Sequence, residues 1–262
     1  MFRFKRYKLI SMFLVGFVTG GCQEQRPASP DRLQQEPISL VNVRDDFEMA
    51  VPGDSWSFIN PGLWRVGVEG HRRFLQMAYP PDLPPQRGPQ RPSEYSLFNA
   101  YAFRSFSLTC RLRVDSAPRD EGNNACIIFG WRDDAHFYYV HLANVCGEMS
   151  NTVVRVEGGT ARSLIPLIDR REPAFTEQGW HKIDILRDAN TGSIEVYVNA
   201  FSEDARPLFS IIDRTYEWGH IGFGAFRDHA SFAGIEFEGE ARRSGLPTLF
   251  KTFSTQATNS PR

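Results

Sequence analysis

Several features are scarce in this chain of 262 residues, and each scarcity weakens the case for one class of protein. No apolar run reaches the roughly 20 residues that a membrane-spanning helix needs. Six histidines are present, and no two of them stand at zinc-ligand spacing beside a cysteine. No Gly-x-Ser-x-Gly turn supports catalysis by a serine nucleophile. Helix-period runs are few and no internal repeat is visible, so the pattern favours strands over helices.

A basic excess is also absent. The chain carries 30 Lys and Arg against 31 Asp and Glu, and four of the cations lie within residues 1–21. Without that segment, 26 cations face 31 acids and the net charge is −5. Nucleic-acid binding normally shows as a basic excess, so we expect no nucleic-acid partner.

The N-terminus has the parts of a secretory signal. Four cations within the first eight residues precede an apolar run from Leu9 to Val18. Gly20-Gly21-Cys22 then resembles the lipobox of bacterial lipoproteins, with Thr19 standing where an aliphatic residue is usual. We expect residues 1–22 to be a lipoprotein-type signal and Cys22 to be acylated, so that an exported protein touches the membrane through a lipid anchor only. Simple secretion and an uncleaved anchor are the alternatives.

Aromatic and β-branched residues are abundant beyond the signal. The 21 Phe and five Trp suit pleated strands, and short strands separated by turn residues predict one all-β sandwich or barrel over residues 44–241. Residues 23–43 are rich in Gln, Pro, Glu and Ser, which predicts a flexible tether. Residues 242–262 are predicted to be a poorly ordered tail. The six prolines of Pro80 to Pro92 indicate a surface loop.

The clearest hairpin runs from Ala125 to Leu142. An even-length turn centred on Asp134 and Ala135 pairs Trp131 with Tyr138, Phe129 with Val140 and Gly130 with Tyr139. On this register one face of the hairpin is wholly apolar and is predicted to be core.

The other face of that hairpin is the candidate ligand site. The residues that we predict to contact a ligand on this face are Arg132, Tyr139, His141 and Arg155. Alternation over residues 151–157 puts Arg155 on this face, and Arg111 and Arg113 follow on a neighbouring strand. Aromatic rings stack on sugars, and Arg binds carboxylate or sulfate with two hydrogen bonds. The alternative is structural: a hydrogen-bonded histidine, with Tyr and Arg, beneath a covering loop.

Several stretches resemble the concanavalin A-like lectin/glucanase superfamily. Its late hairpin is similar to Trp180-His-Lys-Ile-Asp-Ile-Leu-Arg187 followed by Ile194-Glu-Val-Tyr-Val-Asn199, although Ala200 stands where Gly is common. Its closing strands are similar to Gly219-His-Ile-Gly-Phe223 and Phe232-Ala-Gly-Ile-Glu-Phe237. The resemblance covers residues 45 to 240 and implies a jelly roll of two antiparallel sheets with carbohydrate on the concave face. Laminin-G-like and lectin modules, family 16 glycoside hydrolases and 3-keto-disaccharide hydrolases share this scaffold, so it does not fix the function.

Three classes of function therefore stay open. The first is a carbohydrate-binding module without catalytic activity, whose partner is an oligo- or polysaccharide. The second is a hydrolase of the 3-keto-disaccharide or family 16 type. Its carboxylate strand is approximated only by Glu236-Phe-Glu238-Gly-Glu240, where alternation beside Ile235 and Phe237 favours a solvated face. The third is a structural lipoprotein that docks another protein.

Acidic pairs and cysteines give two further expectations. Asp45-Asp46 and Asp133-Asp134 could hold Ca²⁺, but Asp is also a preferred turn residue, so no cofactor is predicted. Cys110 alternates with core residues, whereas Cys126 falls on the ligand face. A disulfide between them is not expected, because its Cβ atoms must point together.

Overall fold

The computed structural model describes residues 36–49, 52–78, 80, 91–92, 94–115, 123–169, 172–202, 204–226, 228–247 and 250–252. The predicted signal with Cys22 lies outside these residues. The described residues form fifteen strands, and short 3₁₀ turns span Pro61–Leu63 and Leu167–Asp169. The strands are β1 (Ser39–Asp45), β2 (Trp56–Phe58), β3 (Trp64–Glu69), β4 (Arg72–Met77), β5 (Glu94–Phe98), β6 (Tyr101–Val114), β7 (Asn124–Asp133), β8 (His136–Ala143), β9 (Thr152–Glu157), β10 (Thr160–Ser163), β11 (His181–Asp188), β12 (Ser193–Val198), β13 (Phe209–Ile212), β14 (His220–Ala225) and β15 (Ala230–Arg243).

Two antiparallel sheets stack face to face. Sheet A has the strand order β13-β12-β11-β6-β15-β4-β3, with β1 also pairing with β15. Sheet B has the order β10-β9-β8-β7-β14-β5-β2. The main core lies between the sheets, where alternate residues of each strand meet, as the period-two pattern of Phe106, Leu108, Cys110 and Leu112 predicted.

The long strand β15 pairs with two different strands along one of its edges. Its residues Ala230–Phe232 pair with β4, and after a bulge its residues Ile235–Ala241 pair with β1. β1 begins at Ser39, within the stretch predicted as a tether, because Val41 and Val43 pack against the core. At the other end, the predicted tail is described in part, and its first two residues complete β15.

The central hairpin is confirmed, but its predicted register is wrong over most of its length. Phe129 pairs with Tyr138 rather than with Val140, whereas Asp133 still pairs with His136 next to the turn. A bulge between Phe129 and Asp133 explains the shift, and Gly130 sits in it at a φ of 60°, which favours glycine. The bulge also turns Trp131 away from the core, so its predicted core position is wrong.

The outer face of sheet B carries a second hydrophobic cluster, which we call the outer cluster. Its buried members are Tyr95, Leu97, Cys126, Ile128, Trp131, Phe137, Tyr139, Val154, Val156 and Phe250. Phe250 comes from beyond β15 and its ring lies 5.1 Å from that of Trp131. Lys251 exchanges two backbone hydrogen bonds of 2.9 Å with Phe58 of the edge strand β2. The chain's own C-terminal residues thus cover part of this face.

The two buried cysteines lie on different surfaces, as predicted. Cys110 belongs to the core between the sheets, Cys126 belongs to the outer cluster, and both thiols are free. The described residues include no helix that is long and apolar enough to cross a membrane.

Candidate functional site

Tyr139 and His141 lie on the outer face of sheet B, as predicted, but this face is closed. Tyr139 is fully buried and His141 is 7% exposed. The Nδ1 atom of His141 lies 2.5 Å from the carbonyl oxygen of Met149, and its ring packs 4.7 Å from that of Phe226. The structural alternative, a hydrogen-bonded histidine beneath a loop, is therefore the one observed.

Arg155 does not share that face. In the pairing of β8 with β9, Val154 lies opposite Tyr139 and Arg155 lies opposite Tyr138, whose ring belongs to the core between the sheets. The face predicted for Arg155 is wrong because the loop between the two strands leaves their register open, and a slip of one residue exchanges the two faces.

Arg155 and Arg132 instead meet at one end of the sandwich, beside the turn between β7 and β8. The loop between β13 and β14 crosses from sheet A to sheet B there, and it brings Asp213 to Arg155 and Tyr216 to Arg132. We call this set, with His136 of the turn, the rim cluster: Arg132, His136, Arg155, Asp213 and Tyr216.

Arg155 is committed to partners within the protein. Its Nη1 donates to Asp213 Oδ2 at 2.7 Å and to Thr215 Oγ1 at 2.8 Å, and its Nη2 lies 3.1 Å from Glu157 Oε2. Burial alone would lower the pKa of Arg155, but the carboxylates of Asp213 and Glu157 outweigh it and raise that pKa. Arg155 therefore holds the β13–β14 loop in place.

The Tyr138 hydroxyl joins the same loop from the core side. It donates to Asp213 Oδ1 and accepts the backbone N–H of Tyr216 at 3.0 Å. Burial, followed by this carboxylate, raises the pKa of Tyr138 to about 12. Burial alone would raise the pKa of Asp213 as well, but hydrogen bonds from Tyr138 and Thr215 lower it, so the carboxylate stays ionised.

Arg132 is exposed and has no carboxylate partner within the part of the chain that the structure describes. Its guanidinium carbon lies 5.2 Å from the centre of the Tyr216 ring, and its Nε donates a long bond of 3.4 Å to the Trp218 carbonyl. His136 borders the same ring at 6.3 Å and is held by Asp133 Oδ1 at 2.8 Å. A guanidinium over an aromatic ring keeps N–H groups available to an anion such as carboxylate or sulfate.

The sequence reasoning missed Asp213 and Tyr216. The polar and aromatic run from Asp213 to Trp218 between two strands was the available signal, because such loops often carry function. The spacing of this run in the sequence does not show that it lies beside β7 and β9. Only in the folded chain does the crossing between the sheets bring it there.

The acidic residues singled out in the sequence do not gather into a metal-binding group in the described structure. Glu236 and Glu238 are exposed on sheet A while Ile235 and Phe237 are buried, as the solvated alternative predicted. None of the described strand residues in the outer cluster is Asp or Glu. Across the residues covered by the structure, no group of three or more His, Cys, Asp or Glu could hold a metal.

Both predicted Asp pairs make hydrogen bonds within the protein. Asp45 accepts the Trp56 indole N–H at 2.7 Å and the Phe47 backbone N–H at 2.8 Å. Asp134 Oδ1 accepts the Tyr95 hydroxyl at 2.5 Å. These carboxylates support turns and strand ends, which is the backbone alternative to a Ca²⁺ site.

No protein-family model matches the chain, and no curated protein matches it either. Among solved structures, the carbohydrate-binding module CBM66 from Bacillus subtilis is 12% identical, with 71% of this chain and 96% of that module aligned and a TM-score of 0.50. A putative glycosyl hydrolase from Parabacteroides distasonis is 10% identical over 80% of this chain and 97% of its own, with a TM-score of 0.42. Lectin II from Ulex europaeus is 12% identical over 76% and 98%, with a TM-score of 0.43.

Identities this low show the fold alone. The chain is an all-β jelly-roll sandwich of two antiparallel sheets, of the concanavalin A-like kind, which confirms the predicted fold class.

Proposed function

We propose that this chain is an exported, lipid-anchored module that binds an acidic saccharide at the rim cluster without catalysing a reaction. One observation carries the proposal: Arg132 is an exposed cation without a carboxylate partner among the described residues, and its guanidinium carbon lies 5.2 Å from the centre of the Tyr216 ring. An aromatic ring and an available guanidinium together suit the apolar face and the carboxylate or sulfate of an acidic sugar.

The residues present at the rim cluster favour binding over hydrolysis. A retaining glycosidase needs two carboxyl groups about 5 to 5.5 Å apart, one as nucleophile and one as acid. At the rim, Asp213 is engaged by Arg155 and by the Tyr138 hydroxyl, and its lowered pKa does not suit a general acid. Two carboxylates at the rim, Asp213 and Glu157, both contact the Arg155 guanidinium, which supports a structural role for them rather than a role in hydrolysis.

The four predicted ligand residues have three different roles in this proposal. Arg132 contacts the saccharide and Arg155 holds the loop that carries Tyr216. Tyr139 and His141 belong to the closed outer face and contribute to packing. Cys22 provides the anchor, and residues before β1 keep the domain away from the membrane.

A glycan array of neutral, uronate-containing and sulfated oligosaccharides tests the proposal, with the chain from Pro37 onward as the soluble protein. We expect acidic glycans to bind. Arg132→Ala should weaken them about 10- to 100-fold, since a charge-assisted hydrogen bond contributes ~1.5 to 3 kcal/mol. Arg132→Lys should recover only part of the loss, because an ammonium group cannot make the two parallel bonds.

Arg206→Ala is the matched control. Arg206 is another exposed arginine without a partner in the described chain, and it lies in the β12–β13 loop at the other end of the sandwich. It should leave binding unchanged while removing the same charge. If Arg132→Ala binds every acidic glycan as tightly as the unmodified protein, the rim cluster is not the ligand site.

A further inference from the structure

A cleft lies at the end of the sandwich opposite the rim cluster. Its volume is about 190 Å³, and residues at the ends of β6, β7 and β8 form it together with the segment before β11. Its lining residues include Asn123, Asn144, Phe175, Thr176, Glu177 and Gln178. At about 30 Å³ per water molecule, the cleft has room for roughly six waters. It is smaller than the ~300 Å³ or more of typical drug-sized pockets, so it suits one small ring rather than a chain of sugars.

Hydrogen bonds within the protein hold the walls of this cleft. The Asn123 backbone N–H donates to Asn144 Oδ1 at 2.7 Å, and the Asn144 backbone N–H donates to the Asn123 carbonyl at 3.2 Å. On the other side, His181 Nε2 lies 2.9 Å from the Glu177 carbonyl and the His181 ring stacks on Phe175 at 5.1 Å. The cleft is therefore formed before any ligand arrives.

Several polar side chains of the cleft make no polar contact with other described residues and can serve a ligand. Because Asn144 Oδ1 is taken by Asn123, the Asn144 amide still offers its two N–H donors. The exposed side chains of Thr176, Glu177 and Gln178 have no hydrogen bond or ion pair to other described residues. They supply a hydroxyl, a carboxylate and an amide, which are both donors and acceptors.

The cleft differs from the rim cluster in having no arginine among its lining residues. Glu177 is its one ionisable acid, and none of its lining residues is Lys or Arg. A carboxylate or sulfate would meet like charge here, whereas hydroxyl groups can both donate to Glu177 and accept from Asn144. Phe175, which is buried, adds an apolar residue to the wall of the cleft.

From these contacts we infer that the cleft between Asn144 and the Thr176–Gln178 segment is a second binding site, for a single uncharged sugar unit. This inference goes beyond the proposed function, which concerns an acidic saccharide at the rim. The two sites lie at opposite ends of β8, whose eight residues span about 26 Å at 3.3 Å per residue. One domain could therefore hold two different points on a glycan, or two separate glycans.

Saturation-transfer NMR on the full-length chain in a sugar-free detergent tests the inference. The probes are the methyl glycosides of glucose, galactose and mannose, with methyl glucuronide as the charged comparison. At least one neutral glycoside should receive saturation. Any saturation of the glucuronide should be the same in Thr176→Phe as in the unmodified protein, because the glucuronide should not bind in this cleft. Gln178→Ala should weaken the neutral glycoside roughly three- to tenfold, the loss expected for one hydrogen bond between uncharged groups.

Thr176→Phe should abolish that signal by filling the cleft from an exposed position. Thr160→Phe is its matched control, because Thr160 is exposed on the edge strand β10 and lies outside the cleft. The inference is overturned if no neutral glycoside receives saturation, or if Thr176→Phe binds as well as Thr160→Phe. It is also overturned if the neutral glycoside is lost in Arg132→Ala but kept in Thr176→Phe. That last result would place all binding at the rim and leave the proposed function standing.

Discussion

Glu94 makes a contribution to the stability of the domain that we expect to be lost as the pH rises. Glu94 is the first residue of β5 and is 7% exposed. Its buried Oε2 atom has no hydrogen-bond partner among the described residues. Desolvation raises the pKa of Glu94 from 4.5 to about 7. The folded protein therefore binds this proton more tightly than the unfolded chain does. The stabilising effect of that proton is complete below pH 4.5 and is lost as the pH rises through about 7.

The size of the effect follows from the two pKa values. A difference of about 2.5 units at 1.36 kcal/mol per unit corresponds to about 3 kcal/mol at most, a large part of the stability of a single domain. Glu94→Gln removes the charge and keeps the shape. The free energy of unfolding of the unmodified protein, minus that of Glu94→Gln, should therefore fall by about 2 to 3 kcal/mol between about pH 5 and pH 8.

Urea unfolding at several pH values in that window measures this difference directly. Glu236→Gln is the matched control, because Glu236 is an exposed residue of the sandwich on the outer face of sheet A. Its difference from the unmodified protein should not vary with pH beyond a few tenths of a kcal/mol. If the Glu94→Gln difference is as flat as that of the control, the carboxyl is solvated and its burial in β5 is wrong.

Three further expectations concern other parts of the chain. Phe250→Ala should lower the free energy of unfolding by about 2 kcal/mol in urea titrations, less than a central core Phe, because only a short C-terminal segment brings this ring to the outer cluster. Thiol labelling should modify the exposed Cys146 in the native protein, and Cys110 and Cys126 only after unfolding, since both are buried and their pKa values are raised. Cys22→Ser should move the protein from the membrane to the soluble fraction, and a variant that stays membrane-bound contradicts lipidation.

The strands were predictable because their signal is local. Alternation places Phe106, Leu108 and Cys110 in the core, and the glycine at position 70 suits the tight turn between β3 and β4. These features depend on residues a few positions apart, and tertiary packing agrees with them. The fold class follows from many such segments together, so single errors do not change it.

The candidate site was less predictable because its geometry depends on register. The predicted pairing holds at Asp133 and His136, next to the turn, and fails beyond the bulge. A glycine within a strand occurs both at bulges and in regularly paired segments. The sequence Phe-Gly-Trp is compatible with both, so it does not predict the bulge. Arg155 shows the same limit between β8 and β9, where a loop of eight residues, 144–151, sets no register.

The bulge at Gly130 connects the closed face with the rim. A regular strand would have sent Trp131 into the core and left Arg132 on the face of Tyr139. The additional residues instead place Trp131 in the outer cluster and leave Arg132 over the ring of Tyr216. A Cβ atom at position 130 would lie 3.1 Å from the ring of Tyr138 and 3.3 Å from the Cβ of Tyr216, so the side chains that surround the rim pack directly on the bare backbone. The bulge at Gly130 therefore has two effects. It adds Trp131 to the outer face, which was predicted to be open and is closed, and it places Arg132, on which the proposed function rests, at the rim.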